Sequence, residues 1–139
     1  MQLNPEVLRS SFELVVERNP DVVGRFYEIL FDRYPQVRPM FGVRNAAEVQ
    51  QEMLTQALVA VLDHLEDAPW LQSTLEGIGA KHVGYGVADE MYGWVGECLL
   101  AAMSESAGEA WTDEVEEQWL AAYGAITEMC LAGAATARA

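Results

Sequence analysis

Positive charge is what this sequence has least of: 8 lysines and arginines stand against 22 aspartates and glutamates, a formal net charge of −14 over 139 residues. A surface of that sign repels phosphate backbones and anionic lipid, so nucleic acid is not an expected partner. Cysteine is scarce too. Cys98 and Cys130 have neither C-x-x-C spacing nor a histidine cluster beside them, which excludes a zinc framework and reads as two core thiols. No uncharged apolar run approaches the ~18 residues that would span a bilayer. The opening Met1-Gln2-Leu3-Asn4-Pro5-Glu6 lacks a basic segment followed by an apolar one, so neither membrane insertion nor export is expected and the cytoplasm is the default compartment. A glycine-rich dinucleotide fingerprint and alternating strand patterns are missing as well.

What is present reads as helix, with 51% hydrophobic residues to pack. Asn4-Pro5-Glu6 and Asn19-Pro20-Asp21 are helix start signals, a capping side chain followed by a proline that needs no N–H in the first turn. The first helix they open carries Val7, Leu8, Phe12, Val15 and Val16 at helical period. The second carries Val22, Val23, Phe26, Tyr27, Leu30 and Phe31 and must break at Pro35. A short turn then leads to a third helix, from about Ala46, with Gln50, Leu54, Ala57, Leu58, Val61 and Leu65 on one face. A short helix bearing His82 follows, then a turn at Gly84 and Gly86, then two long helices, from about Asp89 to Ser106 with Tyr92, Val95, Leu99 and Met103 inward and from about Thr112 to Leu131 with Trp119, Tyr123, Ile126 and Cys130 inward. The Ala-rich end, 132–139, is expected to fray. The fold class is all-α with about seven helices in one domain over 1–139, and spacing this uneven suits irregular orthogonal packing better than a four-helix bundle.

Three polar side chains interrupt the apolar faces. Leu71, Leu75, Ile78 and His82 share one stripe, so an imidazole points where aliphatic groups otherwise point. It is either a buried histidine satisfied by a carbonyl or a ligand to iron in an apolar pocket, as in haem proteins. Gln50 places a primary amide on the stripe of the third helix, and Tyr27 places a hydroxyl among aromatic and aliphatic neighbours. A haem site needs one axial base on one face and hydrogen-bond donors over the other, and a phenol and an amide both donate. His64, about 21 Å along the helix from Gln50 at 1.5 Å per residue, cannot share a small ligand with it and reads as a boundary residue.

With those residues in place, the chain resembles single-domain bacterial globins of the flavohaemoglobin-like type. The resemblance is carried in order by Phe26-Tyr27-Glu28-Ile29-Leu30-Phe31, Pro35-Gln36-Val37-Arg38-Pro39-Met40-Phe41, Lys81-His82-Val83-Gly84-Tyr85-Gly86-Val87, Tyr92-Gly93-Trp94-Val95-Gly96 and Trp119-Leu120-Ala121-Ala122-Tyr123-Gly124. It implies a globin fold around haem b, with His82 as the proximal iron ligand, Tyr27 and Gln50 as distal donors and Leu54 over the gas ligand. Phe41 would wedge against the macrocycle, Lys81 would reach a propionate, Val87 would line the proximal side and Tyr92 would back His82. Gln51 is the registry alternative to Gln50, which is preferred because it shares a face with Leu54, Leu58 and Val61.

The chain departs from that pattern at one position. Where the resemblance places a glutamate behind the proximal histidine, this sequence has Ala134, and Glu128 lies on another face. A carboxylate there would raise the basicity of the ligand, so its replacement implies a weaker push toward O–O cleavage. The resemblance further implies reversible dioxygen binding on ferrous iron, with nitric oxide and carbon monoxide as other ligands. The role would be delivery or nitric oxide dioxygenation, with electrons from a separate reductase; the alternative is a gas or redox sensor acting through a partner protein.

Overall fold

The computed structural model describes residues 3–41 and 46–138, and the side chains of residues 40–50 lie outside that description. Six α-helices follow in the order α1 (Pro5–Arg18), α2 (Val22–Arg33), α3 (Ala46–Asp63), α4 (Ala68–Gly84), α5 (Glu90–Ala107) and α6 (Asp113–Arg138). Short 3-10 turns occupy Pro35–Phe41 and Gly108–Ala110, and no strand occurs among the described residues. The all-α globin-like expectation holds.

Asn4 opens α1 as the sequence signals, whereas α2 starts at Val22 after Asp21 without a side-chain cap, Asn19 Oδ1 accepting from Asp21 N–H at 3.1 Å instead. Asn4 Oδ1 accepts from the N–H groups of Glu6 and Val7 at 3.1 and 3.3 Å, with Pro5 in the first turn of α1. Asp67 accepts from Trp70 N–H at 3.2 Å and opens α4 with Pro69 behind it. Each such cap satisfies donors that the helix cannot, worth ~1 kcal/mol. α2 gives way at Pro35, which lacks the N–H to continue it. α5 ends at Gly108, whose φ of 58° suits a residue without Cβ.

Two helices differ from expectation. α4 is not short: it runs 17 residues, because Asp67 and Pro69 start it well before the Leu71 stripe. α6 does not fray after Leu131 but continues to Arg138. Packing overrides the small-residue composition there, since Gly133 and Ala134 are buried and the α6 backbone presses on α4. A Cβ on Gly79 would collide with the carbonyl of Cys130, and one on Gly133 with the carbonyl of Glu76. Small residues are what allow the two backbones to touch.

The buried side chains form two clusters. The larger joins Leu8, Phe12 and Val15 of α1, Phe26 and Leu30 of α2, Leu99 and Met103 of α5 and Trp119 of α6. Full burial of a side chain such as Phe26 or Leu30 stabilises by about 1.5–3 kcal/mol. The buried Trp119 indole N–H donates to Ser11 Oγ at 2.9 Å, so its polar atom is not stranded. The smaller cluster joins Val61, Leu71, Leu75, Tyr92 and Cys130. α6 is long and apolar enough to cross a membrane by length and composition. Here its first turn is acidic and it contributes Trp119 to one cluster and Cys130 to the other. α3 spans both clusters, with Leu58 in the first and Val61 in the second, and Leu65 just beyond its end packs against each.

Candidate functional site

His82 sits in the last turn of α4, and the chain beyond it folds back onto its own carbonyl. The N–H groups of Tyr85 and Val87 both donate to His82 O, at 3.1 and 3.0 Å, and Gly86 takes φ 82° to make that turn. The imidazole is half-buried, and its Nδ1 lies 3.1 Å from Tyr92 Oη. The two rings are 5.8 Å apart and tilted by 47°. Burial pushes the His82 pKa down and the Tyr92 hydroxyl up to about 12, so near neutral pH both groups are uncharged. When Nδ1–H donates to the phenol oxygen, Nε2 keeps its lone pair, the tautomer that a metal ligand requires.

Tyr92 is itself held from a third helix. The Tyr123 hydroxyl of α6 donates to Tyr92 O at 2.7 Å, and its ring lies against Gly96, where a Cβ would clash. Desolvation keeps that phenol protonated, hence a donor. Cys98 and Cys130 are free, buried thiols, and burial raises the Cys130 pKa to about 11. Neither is a reactive thiolate. Ala134 is buried and supplies no carboxylate, and Glu128 is exposed.

Tyr27 belongs to the other cluster. Its half-buried ring packs on Phe26 at 4.7 Å and on Phe31 at 5.8 Å between centroids. Burial raises its pKa to about 12, so the hydroxyl stays protonated. Leu54 is half-buried against the same cluster, Val87 is half-buried against the Tyr92 cluster, and Lys81 is exposed. The side chains of Phe41 and Gln50 lie outside the described residues. Gln51 is half-buried, and its carbonyl accepts from Thr55 Oγ1 at 2.8 Å.

His64 has a different setting. Its Nδ1 donates to Ala60 O at 2.8 Å, and its ring stacks on Trp70 at 3.8 Å and 10°. It is a boundary residue closing α3.

The chemistry of the donor set fits haem better than a bare ion. Among the described residues no group of three or more His, Cys, Asp or Glu side chains could hold a metal. One imidazole suffices only where a macrocycle would supply most of the other ligand atoms. Such a group also needs apolar surroundings; Tyr27 packs against one apolar cluster, and Tyr92, the partner of His82, belongs to the other. Helical period shows the inward face of Tyr123 but not its bond to the Tyr92 carbonyl, and the small-residue composition of 132–139 gives no sign that Arg138 is ordered.

A family model for globins matches residues 24–130, the region from α2 to Cys130. The chain belongs to the globin family. This globin is 42% identical to a flavohaemoprotein of Bordetella pertussis over 82 residues, 59% of the chain and 20% of that relative. It is 40% identical to a flavohaemoprotein of Rhizobium meliloti over 84 residues. It thus spans about a fifth of the length of these curated relatives, of which 20% and 21% are covered. Among solved structures it superposes on a bacterial globin from Campylobacter jejuni with a TM-score of 0.79 and 25% identity, covering 95% of this globin and 94% of that chain. An engineered carbene transferase, made from a protein assigned as a nitric oxide dioxygenase in Rhodothermus marinus, gives a TM-score of 0.82 at 25% identity over 97% and 95% of the two chains.

Proposed function

We propose that this globin binds haem b through His82 Nε2 and uses it to bind dioxygen reversibly in the cytoplasm. The supporting observation is the His82–Tyr92 pair: a half-buried, neutral imidazole whose Nδ1 is held by a phenol from another helix, 3.1 Å away. Globin membership and flavohaemoprotein relatives point the same way.

Bound haem supplies the iron on which a diatomic gas binds. The chain supplies the rest. Tyr92 fixes the His82 ring and its tautomer, and the Tyr27 hydroxyl, kept protonated by burial, is assigned as a donor to a polarised ligand. Gln50 is assigned as the second distal donor, Leu54 as the apolar cover of the ligand, Phe41 and Val87 as macrocycle contacts and Lys81 as a propionate partner. Lys81 is exposed at the end of α4, as a residue meeting a carboxylate at the rim would be.

Nitric oxide dioxygenation is the proposed reaction, with an external reductase returning the iron to the ferrous state. The flavohaemoprotein relatives and the Rhodothermus protein favour it over simple delivery. Absorption spectra of haemin-loaded protein in the ferric, ferrous and carbonmonoxy states test the binding step. Soret shifts at each step are the expected result, and their absence would end the haem assignment. Nitrate formed from nitric oxide in air, with a reductase added, tests the reaction. Nitrate at no more than one equivalent per haem would leave oxygen binding alone.

A further inference from the structure

We infer that Arg138 is a positioning residue for the His82–Tyr92 pair, clasping from the end of α6 the turn on which both side chains depend. The inference rests on the reading of His82 as a ligand. Arg138 Nη1 donates to Asp89 Oδ1 at 2.9 Å, and Nη2 donates to Val87 O at 3.3 Å. One planar guanidinium therefore bridges two residues of a five-residue connection between α4 and α5.

Each contact leads directly to one member of the pair. Val87 N–H donates to His82 O at 3.0 Å, so a shift of Val87 pulls on the last turn of α4. Its side chain packs against the Tyr92 cluster, and its carbonyl is the atom Arg138 holds. Asp89 precedes the first residue of α5, and Tyr92 N–H donates to Asp89 O at 3.3 Å. The turn also contains Gly86 at φ 82°, a position with wide backbone freedom. Tyr123 and the packing of the smaller cluster fix Tyr92 itself, but the connection that joins it to the last turn of α4 runs through that turn.

α6 is placed to provide the tie because it is fixed to α4 just upstream. The Gly79–Cys130 and Glu76–Gly133 backbone contacts set the crossing, and five residues later, about 7.5 Å along the helix, Arg138 reaches the turn. The same helix carries buried Ala134, which cannot bond to the histidine. Here α6 orients the imidazole from outside, through the backbone.

The test compares the full chain with Arg138→Gln, Asp89→Asn and the double variant, in haem-free and haemin-loaded protein. In the haem-free chain, amide hydrogen exchange at residues 85–92 is expected to rise by about fivefold in Arg138→Gln, the scale of one partly exposed charge-assisted contact. The ¹⁵N signal of His82 Nδ1 should move toward that of a free imidazole. In loaded ferrous protein, the iron–histidine stretching band should shift or broaden. Asp89→Asn should reproduce part of each change, and the double variant should match Arg138→Gln alone, because the two residues act through one contact. Arg138→Lys should recover the exchange protection that depends on Asp89 but not the part that depends on Val87.

Faster exchange with an unmoved Nδ1 signal and an unmoved stretching band would reduce Arg138 to a structural contact and overturn the inference. So would unchanged exchange. If wild-type chain takes up no haemin, the ligand reading falls, while the exchange and Nδ1 arms still decide whether Arg138 sets the pair.

Discussion

His64 follows the last residue of α3 and His82 lies in the last turn of α4, so the two histidines occupy similar places in their helices. Their bonds differ. His64 Nδ1 donates one turn back, to Ala60 of its own helix, and Trp70 covers its ring face. His82 Nδ1 instead meets a phenol of α5, and that tyrosine is in turn bonded by α6. A histidine satisfied inside its own helix closes that helix. One held from another helix has its orientation fixed by the tertiary structure, as a ligand needs.

The two histidines separate most clearly when each ring is removed in turn. His82→Ala should abolish the six-coordinate carbonmonoxy Soret spectrum of loaded protein, and added imidazole should restore part of it by refilling the vacated space. His64→Ala should leave that spectrum intact. Equal losses in both variants would remove the distinction between the two sites.

The proposed distal donor gives the next effect. Tyr27→Phe keeps the ring against Phe26 and Phe31 but deletes the donor. Stopped-flow measurement of dioxygen release should show an increase of about tenfold, the equivalent of ~1.5 kcal/mol for one hydrogen bond. An unchanged rate would remove Tyr27 from the ligand pocket and leave Gln50 as the distal donor still assigned.

How far the sequence shows this arrangement depends on the range of the cause. Helix starts are local, so Asn4 is readable from composition, and so is the stop at Pro35. The inward faces follow from period, which is how His82 and Tyr27 stood out. Order in 132–138 depends on a backbone contact between residues far apart, Gly133 and Glu76, and composition there argues for fraying. Tyr123 was legible as an inward residue but not as a donor to Tyr92, since the acceptor is a backbone carbonyl 31 positions away. Pattern reading sees which face a residue takes, not which atom it meets.

Acidity probes the reason His82 is neutral. Burial lowers its pKa below the ordinary 6.5, so the unfolded chain binds more protons than the folded one in that range. The contribution of His82 to haem-free stability is present above that ordinary value and is lost as pH falls through it toward the folded-state pKa. Tyr92→Phe should keep this acid-side loss in urea titrations between pH 7 and about 5, because desolvation rather than the phenol causes it. His82→Gln should flatten it. A loss abolished by Tyr92→Phe would mean that the phenol, not burial, governs the charge.

The smallest effect belongs to His64. His64→Ala removes the Trp70 stack at 3.8 Å and the bond to Ala60, both at a half-exposed helix end. Such contacts are worth about 0.5–1.5 kcal/mol, so urea unfolding of the haem-free protein should shift by that amount and no more. The haemin-loaded protein should bind carbon monoxide as the wild type does. A spectral change in this variant would show that the α3–α4 connection reaches the haem pocket. It would also mean that a histidine bonded only to its own helix can still act on the site, which is the outcome the contrast with His82 excludes.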